Sequence, residues 1–291
     1  MAERPLVWII VLNYKGLQDT LECLASLASV TYPNFKVAVV DNCSADGSEQ
    51  AIRAAYPGHL VLQTGQNLGY AGGNNAGIRL ALEHKVEYVC LLNNDTTVTP
   101  EFLDPLVNWL EQDEISGIAG PMVCDHYHQG TIQATGSRAN LWLGKFYQIN
   151  PGRKRDEVRG VIEADYVAGA CLLIRSELIK KIGLIPEEYF LFFEETEWCL
   201  KAKRAGQKVV CVCQSLIFHK GSKSIQKVSG TQEYYMTRNQ IIFEKRNATW
   251  FQLQVFLLYR KYRMALSLTK GFFKGVASRD MLAGFKEGMK Y

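Results

Sequence analysis

The stretch Leu91-Leu92-Asn93-Asn94-Asp95-Thr96 changes character in its middle: the apolar run 88–92 reads as a buried strand, then breaks into a carboxylate flanked by amides. Open α/β sheets are covered on both faces and bind their ligands at the carboxyl ends of their strands. Asp95 is therefore a candidate ligand-binding acid. Outward from it, apolar runs at 6–12, 35–40, 60–63 and 118–123 alternate with helical patterns, such as Leu17, Leu21, Leu24 and Leu27, and the stretch 71–82. This alternation predicts an α/β fold with a mostly parallel sheet covered by helices. From 125 to 163 the pattern weakens into irregular hairpins, with a loop at 151–159 that could cover a second substrate or be an ordinary surface excursion. Order returns with a strand at 167–174, a helix capped by Ser176 and ended by Gly183, a helix from Glu195 to Gly206, and a strand at 209–212 that leads to His219. Beyond Gly230 the pattern is helical nearly to the end.

With 291 residues, 47% hydrophobic and 21% charged, the chain can fill one large core plus an appendage, and composition excludes disordered or fibrous classes. Eight cysteines are scattered through apolar segments without CxxC spacing, which fits buried thiols in a reducing cytoplasm better than structural zinc. The run 6–12 is too short for a signal-peptide core or a membrane span, so a cytoplasmic location is predicted. The net charge of +4 hides an asymmetry. Residues 245–291 carry ten Lys or Arg against two acids, a net +8, which leaves −4 on the remainder.

Four segments carry chemistry. Residues 37–41 run apolar and stop on Asp41, followed by Asn42-Cys43-Ser44-Ala45-Asp46-Gly47-Ser48. A carboxylate there can accept hydrogen bonds from a base N–H or ribose hydroxyls, or the segment can simply be a capped turn. Asn67-Leu68-Gly69-Tyr70-Ala71-Gly72-Gly73-Asn74-Asn75-Ala76-Gly77 is dense in glycine just before a helix, where free N–H groups can hold phosphate or sugar. Neither a G-x-G-x-x-G fingerprint nor a P-loop occurs, which argues against dinucleotide and ATP-cleaving chemistry. Asp95 suits a hard divalent ion, and His219 could supply an imidazole to the same ion. In Tyr189-Phe190-Leu191-Phe192-Phe193-Glu194-Glu195-Thr196-Glu197, a mostly aromatic run ends on adjacent acids. A dry wall raises a carboxyl pKa and suits Glu195 to take a proton, while Glu194 and Glu197 can cap the helix that starts there.

Taken as an ordered set over about residues 5–245, these segments resemble glycosyltransferase family 2, GT-A fold, and are most similar to its rhamnosyltransferase-like branch. The resemblance implies an inverting transferase that uses a divalent metal, Mg²⁺ or Mn²⁺, to move a sugar, rhamnose as the best match. The donor would be a nucleoside diphosphate sugar, dTDP- or UDP-linked, and the acceptor a hydroxyl of a glycan or lipid-linked glycan. It further implies Glu195 as the base, Asp95 and His219 as metal ligands, and donor contacts from Asn13, Asp41, Asn42, Gly69, Gly72, Asn74, Asn94, Asp95 and Arg238. Glu195 stands where the family usually has aspartate, and Asn93 where it has a carboxylate. A sugar nucleotidyltransferase and a non-catalytic nucleotide-sugar binder remain as alternatives. The expected organisation is a GT-A catalytic domain at 1–230, with a nucleotide-sugar half at 1–123 and an acceptor half at 124–230, and a basic helical extension at 231–291.

Within that extension, Phe251, Val255, Leu258, Tyr262, Leu266, Thr269 and Phe273 project on one helical side and Arg260, Arg263, Lys270 and Lys274 on the other. This is the pattern of a helix at a membrane surface, so peripheral contact through 250–275 at the inner face of the cell membrane is expected; a helix docked on the catalytic domain is the alternative. Nucleic acid is not an expected partner, since the body is acidic and no reading motif accompanies the charge.

Overall fold

The computed structural model describes residues 4–221, 231–271 and 277–291. Strand and helix alternate first: β1 (Val7–Asn13), α1 (Leu17–Leu27), β2 (Phe35–Asp41), α2 (Ser48–Ala55), β3 (Leu60–Gln63), α3 (Gly69–Glu83) and β4 (Tyr88–Asn93). There follow β5 (Thr96–Val98), α4 (Leu103–Gln112), β6 (Ser116–Asp125), β7 (Ile132–Ala134), the hairpin of β8 (Ser137–Asn140) and β9 (Lys145–Gln148), then β10 (Val161–Ala164) and β11 (Cys171–Arg175). The chain continues through α5 (Ser176–Ile182), α6 (Glu194–Arg204), β12 (Lys208–His219), α7 (Thr231–Asn247), α8 (Trp250–Gly271) and α9 (Ala277–Lys290). The boundary expected near residue 230 lies outside the described residues.

The main sheet runs β10-β12-β6-β11-β4-β1-β2-β3, with β5 on β12 and β7 on β6. Strands β3, β2, β1 and β4 are mutually parallel, β12 is parallel to β6, and β11 is inserted antiparallel between β4 and β6. Successive β1 side chains enter opposite cores. Val7, Ile9 and Val11 pack with Leu24, Leu103 and Leu106, whereas Trp8 and Ile10 pack with Ile78, Leu178 and Trp198. Each such fully buried aliphatic side chain stabilises the fold by about 1.5–3 kcal/mol. Helix α3 approaches the sheet unusually closely, since a Cβ on Gly77 would sit 2.7 Å from Ile10 Cγ2 and one on Gly73 2.5 Å from Leu12 Cδ1. Sheet register then aligns the strand ends: Asn13 lies opposite Asp41, Leu12 opposite Asn93, and His219 opposite Asp125.

Several local expectations change. The strand expected at 167–174 begins only at Cys171, and the one at 209–212 continues as a single 12-residue strand to His219, with a register shift between Val212 and Leu216. Gly183 and Gly206 do end their helices at positive φ. Ser176, however, is the first residue of α5 rather than its cap, and its buried hydroxyl has no hydrogen-bond partner among the described residues. Neither Glu194 nor Glu197 caps α6, whose start has no side-chain cap bond. Glu197 instead takes Arg246 in a bidentate pair with N–O distances of 2.8–3.0 Å, and also the Tyr189 hydroxyl. The loop 151–159 is stitched to the edge of β7, with Gly152 N donating to Ile132 O and Ile132 N to Arg153 O, and it borders a surface depression beside Met122 and Leu216.

The helices after residue 230 lean on the acids' own segment. Ile242 and Phe243 of α7 pack on Tyr189 and Phe193. That segment has a strained backbone, with positive φ at Phe190 (64°), Phe192 (71°) and Phe193 (76°), each costing about 1–3 kcal/mol. Fully buried Asn239 holds it: Nδ2 donates to Tyr189 O at 2.8 Å and Leu191 O at 2.6 Å. In α8, Phe256 is buried against the hairpin tip at Gly144, while Phe251, Val255, Leu258 and Tyr262 face solvent. Arg260, expected on the solvated basic face, turns inward and donates to Thr237 Oγ1 at 2.9 Å, because the docked face of α8 passes through its position.

Two predictions follow from α7. Asn239→Leu strips donors from buried carbonyls and should lower stability by about 1–3 kcal/mol in guanidinium unfolding; a change under about 0.5 kcal/mol would show that the segment holds itself. Glu244 is fully buried, neither of its carboxyl oxygens has a partner among the described residues, and burial pushes its pKa up to about 8. The unfolded chain then binds fewer protons than the native one between the ordinary carboxylate range and pH 8, so stability falls as pH rises through that window. Glu244→Gln, which mimics the neutral acid, should match the native Tm at pH 5.5 and exceed it at pH 9; equal Tm values at both would contradict this.

Candidate functional site

At the carboxyl edge of the sheet, a cavity of about 350 Å³ is bordered by Glu194 and Glu195 from α6, Asn93 from β4 and His219 from β12. Its wall also includes Tyr70 on α3, Gln133 on β7, Ser137 and Gln148 of the hairpin, Tyr166 and Gly169 before β11, and Leu191 and Phe192 before α6. This volume lies in the range of small-molecule sites. Glu195 reaches it because the preceding backbone is held out of regular conformation and because Gly169 leaves room: a Cβ there would lie 3.3 Å from the Glu195 Cδ. Burial pushes both carboxyls above the usual range, and for Glu194 the neighbouring Glu195 charge adds to it. The Glu194 Oε2 atom has no partner among the described residues. The arrangement is that of a carboxyl pair able to accept a proton in a desolvated wall.

Asp95 stands behind His219, with Oδ1 3.3 Å from Nε2 and both side chains 16% exposed. Lys220 fastens this corner: its N–H donates to Asp95 O at 3.0 Å, while Nζ reaches Asp19 at 2.7 Å and Glu22 at 2.6 Å on α1. Nε2 of His219 is buried without a hydrogen-bond partner among the described residues. A carboxylate and an imidazole nitrogen about 3 Å apart match two adjacent ligands of an octahedral ion with bonds of about 2.1 Å, so these residues fit a divalent metal. Among the described residues no group of three or more His, Cys, Asp or Glu could hold one, which leaves the rest of the shell to phosphate oxygens and water.

The other residues singled out in sequence are distributed differently. Asp41 Oδ1 accepts from Asn13 Nδ2 at 2.7 Å and Oδ2 from Gln63 Nε2 at 2.8 Å, and the acid borders a separate depression with Gly47, Ser48 and Gln50. Asn13 also accepts from Thr20 at 2.8 Å, Asn94 donates to the same Thr20 at 3.0 Å, and these amides tie the ends of β1, β2 and β4 to α1. Asn42 binds Gly69 O at 2.9 Å and Leu68 N at 3.0 Å, which holds the glycine-rich turn. Gly69 has φ +69°, and a Cβ there would meet Phe190 O at 2.3 Å. Gly72 lies inside α3 against Leu68, and Asn74 donates to Tyr70 O. Arg238 turns away from the cavity, donating to Glu188 O at 3.0 Å and lying over the Tyr291 ring.

The wall residues missed in sequence divide by signal. Tyr70 sits inside the glycine-rich motif, where an aromatic ring between glycines could have marked it. Gln133, Ser137 and Gln148 lie in the irregular stretch, with Tyr166 just past it, where no periodicity points to a face.

Comparisons agree with this architecture. The profile of Glycosyl transferase family 2 matches residues 8–183. The chain is 26% identical over 238 residues to the low-salt glycan biosynthesis hexosyltransferase Agl10 of Haloferax volcanii, covering 80% of this chain and 74% of that protein. It is 24% identical over 255 residues to the dTDP-rhamnosyl transferase RfbF of Shigella flexneri, with 83% and 80% covered. It is 26% identical to the N-acetylglucosaminyl-diphospho-decaprenol L-rhamnosyltransferase of Mycobacterium tuberculosis, with 72% and 75% covered. Among solved structures, the mannosyltransferase PcManGT of Pyrobaculum calidifontis, in complex with GDP-Man and Mn²⁺, superposes with a TM-score of 0.63 at 14% identity, covering 99% of this chain and 88% of that one. TarS of S. aureus gives 0.59 at 19% identity, with 97% and 80% covered. With more than half its length matched by the profile, the chain belongs to glycosyl transferase family 2: it is a glycosyltransferase with a GT-A fold, similar to the family's rhamnosyltransferase-like branch.

Proposed function

We propose that this glycosyltransferase moves rhamnose from a dTDP- or UDP-linked donor to a hydroxyl of a glycan or lipid-linked glycan, by single displacement with inversion and with Mg²⁺ or Mn²⁺. One observation carries the reading: Glu195 and His219 border the same cavity, and Asp95 lies 3.3 Å behind the histidine. Glu195 takes the proton of the acceptor hydroxyl as its oxygen bonds the anomeric carbon and the bond to the donor diphosphate breaks on the opposite face. A metal at Asp95 and His219 supplies positive charge for the departing diphosphate. Asp41 and the amides around it, with the glycine-rich turn, bind the nucleotide half. A nucleotidyltransferase would leave the buried acid pair without use.

The acceptor's lipid follows from the tail. Among the described residues no helix is long and apolar enough to cross a membrane. Phe251, Val255, Leu258 and Tyr262 nonetheless form one exposed stripe on α8, beside exposed Lys261 and Arg263 and within a tail of net +8. Such a charge repels a second copy of the same face and attracts anionic lipid headgroups. The hairpin whose tip rests on α8 at Phe256 also lines the cavity with Ser137 and Gln148, so attachment there would hold the acceptor half at the bilayer.

Glu195→Gln should lower kcat by about 10²–10⁴-fold with nucleotide affinity within a few-fold. The acid limb of the native kcat/KM profile should lie above the ordinary carboxylate range, because the protonated form of a base with raised pKa cannot accept the acceptor's proton. Near-native transfer by a folded Glu195→Gln protein would remove the base. For the membrane, the protein should float with vesicles containing 30% phosphatidylglycerol and stay behind with neutral phosphatidylcholine, and Phe251→Ser/Leu258→Ser should abolish flotation. Equal binding by the double variant, or a stable dimer lost on the same substitutions, would overturn that contact.

A further inference from the structure

Gln133 lies on β7, outside every motif, yet it makes three contacts at the His219 corner. Its Nε2 donates to the backbone carbonyl of His219 at 2.9 Å and to Asp125 Oδ2 at 3.3 Å. Both partners are acceptors only, and amide orientation is assigned from such a network, so Oε1 must be the atom that faces the His219 Nδ1 at 3.0 Å. An oxygen at that place accepts a hydrogen bond, so Nδ1 carries the hydrogen. In the neutral ring Nε2 is then bare, and it is the atom 3.3 Å from Asp95 Oδ1. With the ring neutral, two lone-pair donors face each other there at 16% exposure, an arrangement that a cation relieves.

We propose that Gln133 is a positioning residue for this site: by holding His219 as the Nδ1–H tautomer, it presents Nε2 and Asp95 together as a preformed seat for a divalent cation. The proposal rests on the reading that Asp95 and His219 take the metal. It adds a residue that never touches substrate through this role and that no motif marks. A histidine whose second nitrogen donates to a fixed acceptor is oriented before metal arrives, and removing such a partner weakens metal affinity by about 10–100-fold.

The test uses the full chain labelled with ¹⁵N-histidine, metal-free at pH 8.5, with the His219 signals assigned by their loss in His219→Gln. The native protein should show the Nδ1–H tautomer. Gln133→Met, similar in shape but without an acceptor at that place, should move His219 to Nε2–H and weaken Mn²⁺ binding about 10–100-fold, read from free Mn²⁺ by electron paramagnetic resonance with and without UDP. Gln133→Glu keeps an acceptor for Nδ1 and should retain the tautomer; because it also sets a carboxylate oxygen against His219 O and Asp125, only its tautomer and not its affinity is compared with native. Thermal melts of each variant separate loss of fold from loss of metal. A native protein in the Nε2–H form, or a Gln133→Met protein that keeps both tautomer and affinity, overturns the proposal. Absence of Mn²⁺ binding by a native protein that shows the Nδ1–H form overturns the cation seat and with it the metal reading, while leaving the Gln133–His219 bond intact.

Discussion

The constraint on which the rest depends is the two-sided burial of the sheet. Val7, Ile9 and Val11 are sealed by one helical layer and Trp8 and Ile10 by the other, so a polar side chain on these strands is costly anywhere but at an end. Asn13, Asp41, Asn93, Asp125 and His219 all occupy carboxyl ends in register. Sheet pairing thus does the work of assembling the site edge, and the insertion of β11 antiparallel between β4 and β6 spaces the two groups of ends.

A second layer of construction holds the acids. Three aromatic residues with positive φ just before α6 would relax without restraint. The restraints are remote in sequence: Asn239 on the carbonyls, Tyr70 N on Phe190 O at 2.8 Å, and Arg246 on buried Glu197. Removing one partner of a buried ion pair costs about 3–5 kcal/mol when the other charge is left behind, which makes α7 part of the site's frame as well as the start of the tail. Burial also acts on the acids themselves, since the dry packing around Glu195 pushes its pKa up.

Much of this was legible in the residues. The strand runs at 35–40, 60–63 and 88–92 are found within a residue of their expected positions; the first and last are largely buried on both faces and so read as continuous apolar runs with clear edges. The glycine-rich stretch was visible but its work was not: Gly73 and Gly77 seat α3 on Leu12 and Ile10, a contact that depends on a helix–sheet distance. Arg260 was misplaced for a similar reason, since a helical projection ranks faces by polarity and cannot say which face another helix will cover.

The sequence by itself determined the α/β class, the strand end that carries Asp41, the strand that stops just before Asp95, and the acid pair after an aromatic run, because these depend on hydrophobic pattern and local residue type. Only the tertiary structure decided that Glu195 and His219 share a cavity, that Asp95 backs the histidine, that Arg238 turns away, and that Gln133 meets His219. Those facts follow from strand order and helix docking, where residues 86 positions apart, such as Gln133 and His219, come within 3.0 Å through pairings that no local propensity encodes.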